Sequence, residues 1–548
     1  MELNLATVHE AIAASVPDRE CVVHGARRLT WGEVTVRSRR LAAVLLAAGA
    51  GVHGPLDAAT PWDSPHDHVA LYLRNGVEYL ESMLGAMKAR CASVNVNWRY
   101  VADELRGLLV DARPAAIVYH GSFAPTLAAV LDDLPVRPLL LRVDDGAGDE
   151  LLAGAVDYEA ALAAADPHLD DDLVASWSGD DLHLLYPGGT TGRPKGVCWR
   201  QADFLVAALG VRRADGTEYE SIAEIVARAR RGGLRALPTP PFMHGAANWN
   251  AISAWVAGGT VVIQDRVDHL DAVDVLDTCR RERVTSLLIV GDAFARPLID
   301  ELRTGGWELP DLRFIVTGGA ALGVERKSEL TELLPEVTIV DVLGSSESGR
   351  LGVRQGSRAR GVDTGRFEPS ETTVVLSSDL DRVLEPGDPE IGWMAQRGRV
   401  PRGYLGDPAG TAATFPVVDG VRYVVPGDRA RLLADGSVEL HGRDSVTINT
   451  GGEKVYAEEV EAALKSHPAV ADAVVVGRPS ERWGEEIVAV VELVPGARAT
   501  LAELRDTCAA HLARYKLPKA VVIRDRVERS PAGKADYRWA RAQATDAS

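Results

Sequence analysis

Residues 186–196 read Tyr186-Pro187-Gly188-Gly189-Thr190-Thr191-Gly192-Arg193-Pro194-Lys195-Gly196 and directly follow the apolar run 182–185. Glycines allow backbone amides to approach phosphate oxygens, threonine hydroxyls add hydrogen-bond donors, and the lysine supplies a positive charge. The spacing differs from a Walker A loop, because Pro194 and Gly196 stand where a glycine and a hydroxyl residue would be needed. A flexible surface turn is the alternative interpretation, but the ordered mixture of residue types favours a phosphate-binding loop.

On the amino-terminal side of this loop, strand-like and helix-like segments alternate. Strands are predicted at 69–73, 93–96 and 115–119, and helices at 77–89 and 102–110. Because parallel strands are joined by helical crossovers, this alternation predicts parallel βαβ units. Farther upstream, Thr30 and Glu33 form a candidate capping box for a helix that runs to about residue 50.

On the carboxyl-terminal side, the alternation is interrupted and then resumes. The polar stretch 215–233 predicts a helical insertion. Strand signals follow at 259–264, 287–290 and 314–316. After Phe415 the sequence changes to short alternating strands, such as 421–425, that are joined by turns.

The last part of the chain has its own set of predicted elements. Helices are predicted at 457–465 and 501–513, and strands at 471–476 and 487–493. From residue 444 onward there are about 105 residues, enough for a small independent domain. We therefore expect an α/β fold in which residues 1–443 form a large domain of layered βαβ units with a β-rich subdomain, and residues 444–548 form a small α+β domain.

Composition excludes several classes of protein. The 548 residues are 46% hydrophobic and 25% charged, as in an ordinary globular protein, and the net charge of −18 argues against sequence-independent nucleic-acid binding. The five cysteines are scattered without the spacing of a zinc site or a disulfide framework, which favours reduced thiols. With no visible secretory signal and no apolar run of roughly 18 to 20 residues, no membrane span is expected and a cytoplasmic location is predicted.

The phosphate loop and several later motifs together resemble the adenylate-forming superfamily, which contains acyl-CoA synthetases, firefly luciferases and peptide-synthetase adenylation domains. The motifs follow the family's order and cover nearly the whole chain. They are the adenine-pocket turn Gly318-Gly319-Ala320, the adenine and magnesium strand Asp341-Val342-Leu343-Gly344-Ser345-Ser346-Glu347, the ribose site Pro426-Gly427-Asp428, the hinge Gly442-Arg443 with the loop Thr450-Gly451-Gly452-Glu453-Lys454, and the terminal motif Ser530-Pro531-Ala532-Gly533-Lys534.

The resemblance implies three catalytic residues. Lys534 would bridge the substrate carboxylate and the α-phosphate, where negative charge builds up in the transition state. Glu347 would be a ligand of Mg²⁺, which prefers carboxylate, phosphate and water oxygens, and His244 would gate the acyl pocket. The alternatives are a solvent-facing lysine, a carboxylate at the start of a helix, and a structural histidine.

The resemblance also implies three sets of binding residues. The residues for ATP or acyl-AMP are Thr190, Thr191, Gly192, Lys195, Gly319, Ala320, Asp341, Gly344, Ser345, Ser346, Asp428 and Arg443. The metal residues are Thr190 and Glu347, and the coenzyme A contacts are Gly451, Gly452, Trp483, Tyr515 and Lys519. Rotation of the small domain about the hinge would present Lys534 for the first step and the 450–454 loop for the second.

The activity that follows from the resemblance is that of an ATP-dependent, AMP-forming acyl-CoA ligase. Within the superfamily, the stretches 93–100, 291–298 and 530–539 are most similar to actinobacterial ligases for steroid side-chain acids. Small residues in 243–247 fit a bulky hydrophobic, steroid- or terpenoid-like carboxylic acid. The expected partners are therefore this acid and coenzyme A, while a homodimer and a role in natural-product biosynthesis stay open.

Departures from the family pattern leave two further interpretations. Pro187 lacks a backbone donor where the family usually has a hydroxyl residue, and such a lost hydrogen bond costs about 1.5 to 3 kcal/mol. The chain could therefore only thioesterify an acyl-adenylate that a separate enzyme supplies. A third interpretation is an adenylation enzyme that loads a carrier protein, against which Trp483, Tyr515 and Lys519 favour free coenzyme A.

Overall fold

Three β-sheets with helices packed against them make up the part of the protein that the structure describes. The computed structural model describes residues 2–148, 151–187, 195–362, 365–443, 446–450, 453–480, 484–512, 514–530 and 533–545. Within these ranges the first two sheets draw all their strands from residues 20–443, and the third draws its strands from residues 447–524. The predicted α/β fold class, with a large amino-terminal and a small carboxyl-terminal part, is confirmed.

The first sheet is parallel in one half and antiparallel in the other. The strands lie in the order Arg27–Thr30, Glu20–His24, Thr260–Ile263, Arg235–Pro238, Ser286–Ile289, Phe314–Gly318, Thr338–Ser345, Gly349–Gly356, Arg366–Pro369, Val438–Arg443, Asp428–Leu432, Gly392–Arg397, Val421–Val424 and Val417–Val418, with Thr373–Leu376 beside Gly392–Arg397. The strands between Glu20–His24 and Thr338–Ser345 in this order are parallel to their neighbours. Beyond Thr338–Ser345 the pairs are antiparallel and form the β-rich part.

The second sheet contains the predicted βαβ units. Its strands lie in the order Gly403–Tyr404, Val197–Arg200, Leu182–Leu185, Ala92–Asn95, His68–Tyr72, Ala116–His120, Leu139–Val143 and Ala155–Asp157. The six strands from Leu182–Leu185 to Ala155–Asp157 are parallel. The five from Leu182–Leu185 to Leu139–Val143 are almost fully buried because both faces of the parallel sheet are covered there, whereas Ala155–Asp157 is a more exposed edge strand.

The third sheet has a hydrophobic core of its own. Its strands lie in the order Glu453–Tyr456, Thr447–Thr450, Gly484–Leu493 and Val470–Ser480, with Ala520–Arg524 beside Gly484–Leu493. The buried cluster beneath it runs from Val446 to Ala544 and includes no residue of the first two sheets. A division of the chain at 443/444 stays a prediction, with which this separate core agrees.

Helices cover the faces of the three sheets. Their bounds are Leu5–Ser15, Trp31–Ala47, Val77–Lys88, Ala102–Ala112, Ala124–Leu131, Tyr158–Ala164, Asp171–Ala175, Gln201–Asp203, Ile222–Arg230, Gly245–Val256, Ala272–Arg281, Gly291–Arg303, Val324–Leu333, Pro408–Thr414, Ala457–Lys465, Leu501–Ala509 and Tyr537–Thr545. A short π-helical turn, Phe204–Ala208, continues Gln201–Asp203. The predicted capping box is present, since Thr30 Oγ1 accepts from the Glu33 amide at 3.2 Å and Glu33 Oε2 accepts from the Thr30 amide at 2.7 Å.

Two predicted helices are shorter than the sequence pattern indicated. Only Ile222–Arg230 of the stretch 215–233 is helical. Ahead of it, the Asp215 carboxylate accepts from the Thr217 amide at 3.0 Å and closes a turn, as aspartate commonly does. The helix predicted at 501–513 ends at Ala509.

The five cysteines are buried and free, as predicted. Over the part of the chain that the structure describes, no helix has both the length and the apolar character needed to cross a bilayer.

Candidate functional site

Four neighbouring parallel strands of the first sheet bring several of the predicted site residues together. They are Arg235–Pro238, Ser286–Ile289, Phe314–Gly318 and Thr338–Ser345. Because parallel strands end at the same edge of a sheet, the segments that follow them meet there. These segments carry His244, the Gly291–Arg303 helix, Gly319 with Ala320, and Ser346 with Glu347.

His244 stands at the N-cap of the helix Gly245–Val256. Its Nε2 atom is buried and has no hydrogen-bond partner among the described residues. Desolvation, reinforced by the charges of Lys534 and Arg99, lowers the pKa of His244 to about 3. The imidazole is therefore neutral near pH 7, and a neutral ring at this position does not compete with Lys534 for an anionic substrate group.

Glycines shape the floor of the site where strands turn. Gly319 has φ +85°, a left-handed conformation that disfavours other residues, and it directly precedes Ala320. A Cβ atom at Gly344 would lie 2.2 Å from the Gly349 backbone oxygen, so this close approach of two strands requires glycine. Glycine at these two positions therefore meets the local demands of the backbone, a left-handed turn at Gly319 and close strand pairing at Gly344.

The segment after Thr338–Ser345 is held in place by hydrogen bonds from distant elements. The hydroxyls of Ser345 and Ser348 lie 3.1 Å apart, and the Ser346 backbone oxygen accepts from Trp199 Nε1 at 2.9 Å. The Tyr404 hydroxyl donates to Glu347 Oε1 at 3.1 Å. This bond orients the Glu347 carboxylate.

Lys195, the last residue but one of the predicted phosphate loop, is placed by two residues. Its Nζ lies 2.6 Å from Asp407 Oδ2 and 5.2 Å from the centre of the Tyr404 ring. The Lys195 ammonium, together with the Gly410 amide, lowers the pKa of the Asp407 carboxyl. Tyr404 therefore links the predicted metal residue Glu347 with the phosphate loop lysine.

Lys534 reaches this site from the third-sheet unit. The turn that carries it is closed by a 2.7 Å hydrogen bond from the Ser530 amide to the Lys534 carbonyl. A Cβ atom at Gly319 would lie 3.9 Å from Lys534 Cε, and the Lys534 charge acts on His244. The structure thus brings all three predicted catalytic residues to one edge of the first sheet.

Two ion pairs hold the third-sheet unit against the first sheet. Lys465 Nζ lies 2.9 Å from Asp292 Oδ2, and Arg296 Nη1 lies 3.1 Å from Glu492 Oε1. Asp292 also accepts from the Gly323 amide at 2.8 Å, and the Lys465 charge lowers the pKa of its carboxyl against the opposing effect of burial. We call these two contacts the docking pairs.

Other predicted binding residues lie around this centre or outside the described residues. The Asp341 side chain is ion-paired with Lys327, which gives it a structural partner. Asp428 is buried and pairs in register with Arg443, whose side chain lies outside the described residues. Tyr515, which is 41% exposed, and Lys519 precede the strand Ala520–Arg524 of the third sheet. Thr190, Thr191, Gly192, Gly451, Gly452 and Trp483 lie outside the described residues as well.

The sequence analysis missed four residues that contact site residues or hold the third-sheet unit, although their partners lie far from them in the sequence. They are Trp199, Asp292, Tyr404 and Asp407. Of these, only Asp407 carried a local signal, because Asp407 followed by Pro408 is typical of a helix start. The contacts of the others are made only in the folded protein.

Comparison with known proteins agrees with this geometry. The sequence matches the AMP-binding enzyme family over residues 9–405 and the AMP-binding enzyme C-terminal domain over residues 459–534. The medium-chain acyl-CoA ligase Mig of Mycobacterium avium is 50% identical over 541 residues, covering 98% of each chain. The 3-oxocholest-4-en-26-oate–CoA ligase of Rhodococcus rhodochrous is 38% identical, covering 99% of this chain and 96% of that protein.

Solved structures share the fold. The anthranilate CoA ligase AuaEII in complex with anthranoyl-AMP superimposes with a TM-score of 0.83 at 21% identity, covering 100% of this chain and 98% of that one. ATP-bound MatB from Rhodopseudomonas palustris gives a TM-score of 0.80 at 23% identity, covering 98% and 99%. Together with the two relatives, the matched families confirm the predicted enzyme class, an ATP-dependent, AMP-forming acid–thiol ligase. The chain belongs to the AMP-binding enzymes of the adenylate-forming superfamily.

Proposed function

We propose that this enzyme joins a hydrophobic monocarboxylic acid to coenzyme A through an acyl-adenylate. The observation that carries the proposal is the approach of Lys534 to His244 and Gly319 at the sheet edge that also carries Glu347, although Lys534 belongs to a unit with a separate core. A cation delivered to that edge is suited to the first of the two half-reactions, the formation of the adenylate.

In that half-reaction a carboxylate oxygen attacks the α-phosphorus of ATP, and pyrophosphate leaves. Negative charge builds on the α-phosphoryl oxygens, and Lys534 is the group that would stabilise it while also holding the carboxylate. The loss of a donor of this kind costs about 2.7 to 4 kcal/mol in catalysis. Neutral His244 would close the site beside the carboxylate without adding a competing charge.

The donor set fits a magnesium ion that is held mainly by phosphate and water. The structure describes no cluster of three His, Cys, Asp or Glu side chains able to hold a metal within its ranges, and Glu347 is the carboxylate at the site edge. Mg²⁺ typically takes one or two protein carboxylates and keeps substrate phosphates and waters as its other ligands. Glu347, with Thr190 as predicted from the sequence, would hold the ion, which neutralises phosphate charge when bound.

In the second half-reaction the thiolate of coenzyme A attacks the adenylate carbonyl, and AMP leaves. We assign this step to the other face of the carboxyl-terminal part, with Gly451, Gly452, Trp483, Tyr515 and Lys519 as coenzyme A contacts. Residues 444–548 would act as a mobile domain that exchanges Lys534 for these groups. The separate core beneath the third sheet supports this assignment, since the unit can move without exposing it.

For the acid itself, the two relatives favour different substrates. The 50% identical relative is named a medium-chain acyl-CoA ligase, and this likeness supports an aliphatic acid of medium length as the substrate of the present enzyme. The 38% identical relative acts on 3-oxocholest-4-en-26-oate, which supports the bulkier steroid-like acid predicted from the sequence. We propose a medium-chain aliphatic acid as the first candidate and a steroid side-chain acid as the second.

The test separates the half-reactions. Pyrophosphate release from ATP is measured with a panel of medium-chain, long-chain, steroid and terpenoid acids, and acyl-CoA formation is measured from matching synthetic acyl-adenylates. Turnover of the same acid in both assays supports the proposal and identifies the substrate class. Turnover of the adenylates alone would support the enzyme that only thioesterifies, and transfer to a carrier protein in place of coenzyme A would support the third interpretation.

A further inference from the structure

A small, partly open cavity lies beneath the helix that begins after His244. Its volume of about 10 Å³ is close to the space that one water-sized group needs. Leu71, Met83, Leu185 and Phe242 contribute apolar walls, and the polar side chains include His183 and Asn248.

Two buried polar atoms at this cavity have no partner in the described part of the chain. His183 is 4% exposed and Asn248 is 3% exposed, yet His183 Nε2 and Asn248 Oδ1 make no hydrogen bond there. Buried polar side-chain atoms are nearly always hydrogen-bonded, because an unmade bond costs about 1 to 3 kcal/mol. Two such atoms around one cavity therefore mark a site for a polar group.

Two other polar side chains at the cavity, Asn95 and Ser93, are already bonded. Asn95 donates to the backbone oxygens of Tyr186 and Met243 and accepts from the Tyr186 amide. The Ser93 hydroxyl lies 3.1 Å from His183 Nδ1, and Asn248 Nδ2 donates weakly to Met83 Sδ at 3.5 Å. These bonds hold both unpartnered side chains in fixed orientations.

The hydrogen-bonding character of His183 Nε2 and Asn248 Oδ1 determines which kind of group can fill the cavity. Desolvation lowers the pKa of His183 to about 4, so its ring is neutral near pH 7. When the Ser93 hydroxyl donates to Nδ1, the ring proton sits on Nε2, which then donates. Asn248 Oδ1 accepts, so a matching occupant accepts one hydrogen bond and donates another, as a hydroxyl group or a water molecule does.

The cavity lies next to the site where the acid reacts. The Asn248 amide donates to the His244 carbonyl at 3.2 Å, so the two residues are one helical turn apart, about 6 Å along the axis. Phe242 lines the cavity two residues before His244, and a side chain added at Gly245 would touch Leu185 of the cavity wall at 3.4 Å. A chain of several carbon atoms that starts at the carboxylate would span this distance.

We propose that His183 and Asn248 form a subsite that recognises a hydroxyl group on the acyl chain of the substrate. The inference rests on the proposed function and narrows it to hydroxylated hydrophobic acids. The two polar atoms would fix this hydroxyl group at a set distance from the carboxylate, and the apolar walls would contact the carbon atom that carries it. A water molecule has the same hydrogen-bonding pattern, so the experiment separates the two sources of the oxygen.

The experiment compares kcat/KM for acyl-CoA formation from a positional series of monohydroxylated medium-chain acids with the value for the unsubstituted acid. For one position, the unaltered enzyme should prefer the hydroxylated acid about tenfold, the effect of a neutral hydrogen bond or two. Asn248→Leu, which is close in shape but cannot accept, should abolish that preference while keeping activity on the unsubstituted acid. That retained activity shows that the variant is folded.

Asn250→Leu is the matched control. Asn250 lies on the same helix and its Oδ1 atom also has no partner among the described residues, but it does not line the cavity. This variant should keep the preference for the hydroxylated acid. No preference at any position in the unaltered enzyme, or a preference that survives in Asn248→Leu, would overturn the inference and leave the cavity as a water site. If no acid at all is turned over, the proposed function itself fails.

Discussion

Replacing Asp292 with asparagine should slow adenylate formation while leaving thioester formation from a ready-made adenylate intact. Asp292 forms one of the two docking pairs, with its Oδ2 atom 2.9 Å from Lys465 Nζ. Both side chains are less than one-fifth exposed, at 18% and 19%, so solvent screens the pair only in part. Asparagine keeps an oxygen that can accept from the Gly323 amide, so the local turn should survive.

The size of the effect follows from the kind of bond that is lost. A hydrogen bond to a charged group contributes about 1.5 to 3 kcal/mol, and a loss of about 2 kcal/mol changes a population about 30-fold. Because Lys534 reaches Gly319 and His244 only when the third-sheet unit is docked, the docked fraction limits adenylation. We expect kcat/KM for pyrophosphate release to fall by about 10- to 30-fold, since a highly populated docked state would absorb part of the change.

The assay measures the two half-reactions separately, with pyrophosphate release for the first and a synthetic acyl-adenylate for the second. Lys465→Gln should behave like Asp292→Asn, and the double variant should be little worse than either single one, because both remove one interaction. Asp311→Asn is the control, since it removes an ion pair with Arg283, at 3.1 Å, that lies within the first-sheet part. Equal losses in both half-reactions, or no loss in either, would refute the docking role of this pair.

Three further predictions address other parts of the site. Lys534→Ala should lower the rate of pyrophosphate release by about 100- to 1,000-fold and leave the rate of thioesterification unchanged. Lys534→Arg, measured in parallel, should recover only part of the lost rate. A loss of rate in both half-reactions would contradict the role assigned to Lys534. Pro187→Ser should raise the rate of adenylation by about tenfold or more by restoring a backbone donor, as pyrophosphate release would show, and an unchanged rate would mean that the loop does not use that donor. His183→Phe should reduce the pH dependence of stability between about pH 6.5 and 4, which urea unfolding at several pH values would measure. The folded-state pKa of His183 is lowered to about 4, so its contribution is full above 6.5 and is lost at up to about 1.4 kcal/mol per pH unit as the pH falls, and an unchanged slope in His183→Phe would contradict this.

The elements of the fold that could be predicted are those whose residues carry their own local signal. The strand His68–Tyr72 and the helix Val77–Lys88 lie within one residue of the predicted bounds, because buried parallel strands are continuous apolar runs with turn residues between them. The order of strands in the sheets could not be predicted in the same way. The pairing of Glu20–His24 with Thr260–Ile263 joins segments more than 200 residues apart, and no local pattern encodes it.

The candidate site also contains residues that the sequence identifies and residues that it does not. His244, Gly319 and Glu347 lie within motifs that resemble those of the adenylate-forming superfamily, so the resemblance assigned them to one site. Tyr404 was missed, because its bond to Glu347 joins residues 57 positions apart, and Trp199 bonds to Ser346 across 147 positions. An isolated tyrosine or tryptophan is far more often a packing residue than a site residue, so neither stood out.

The way in which the third-sheet unit is attached agrees with the proposal that one chain performs two different steps in one place. In the proposed reaction, adenylation would use Lys534 at the sheet edge, and attack by the thiolate would use that space for coenzyme A. An extensive apolar interface would fix the unit in one position, but its core closes on itself between Val446 and Ala544. Contact with the first sheet includes the two docking pairs and the approach of Gly533 to Val290, where a Cβ at Gly533 would lie 3.1 Å from the Val290 oxygen. Partly exposed ion pairs of about 1 to 2 kcal/mol each would be strong enough to position a lysine and weak enough to exchange with water during the proposed cycle.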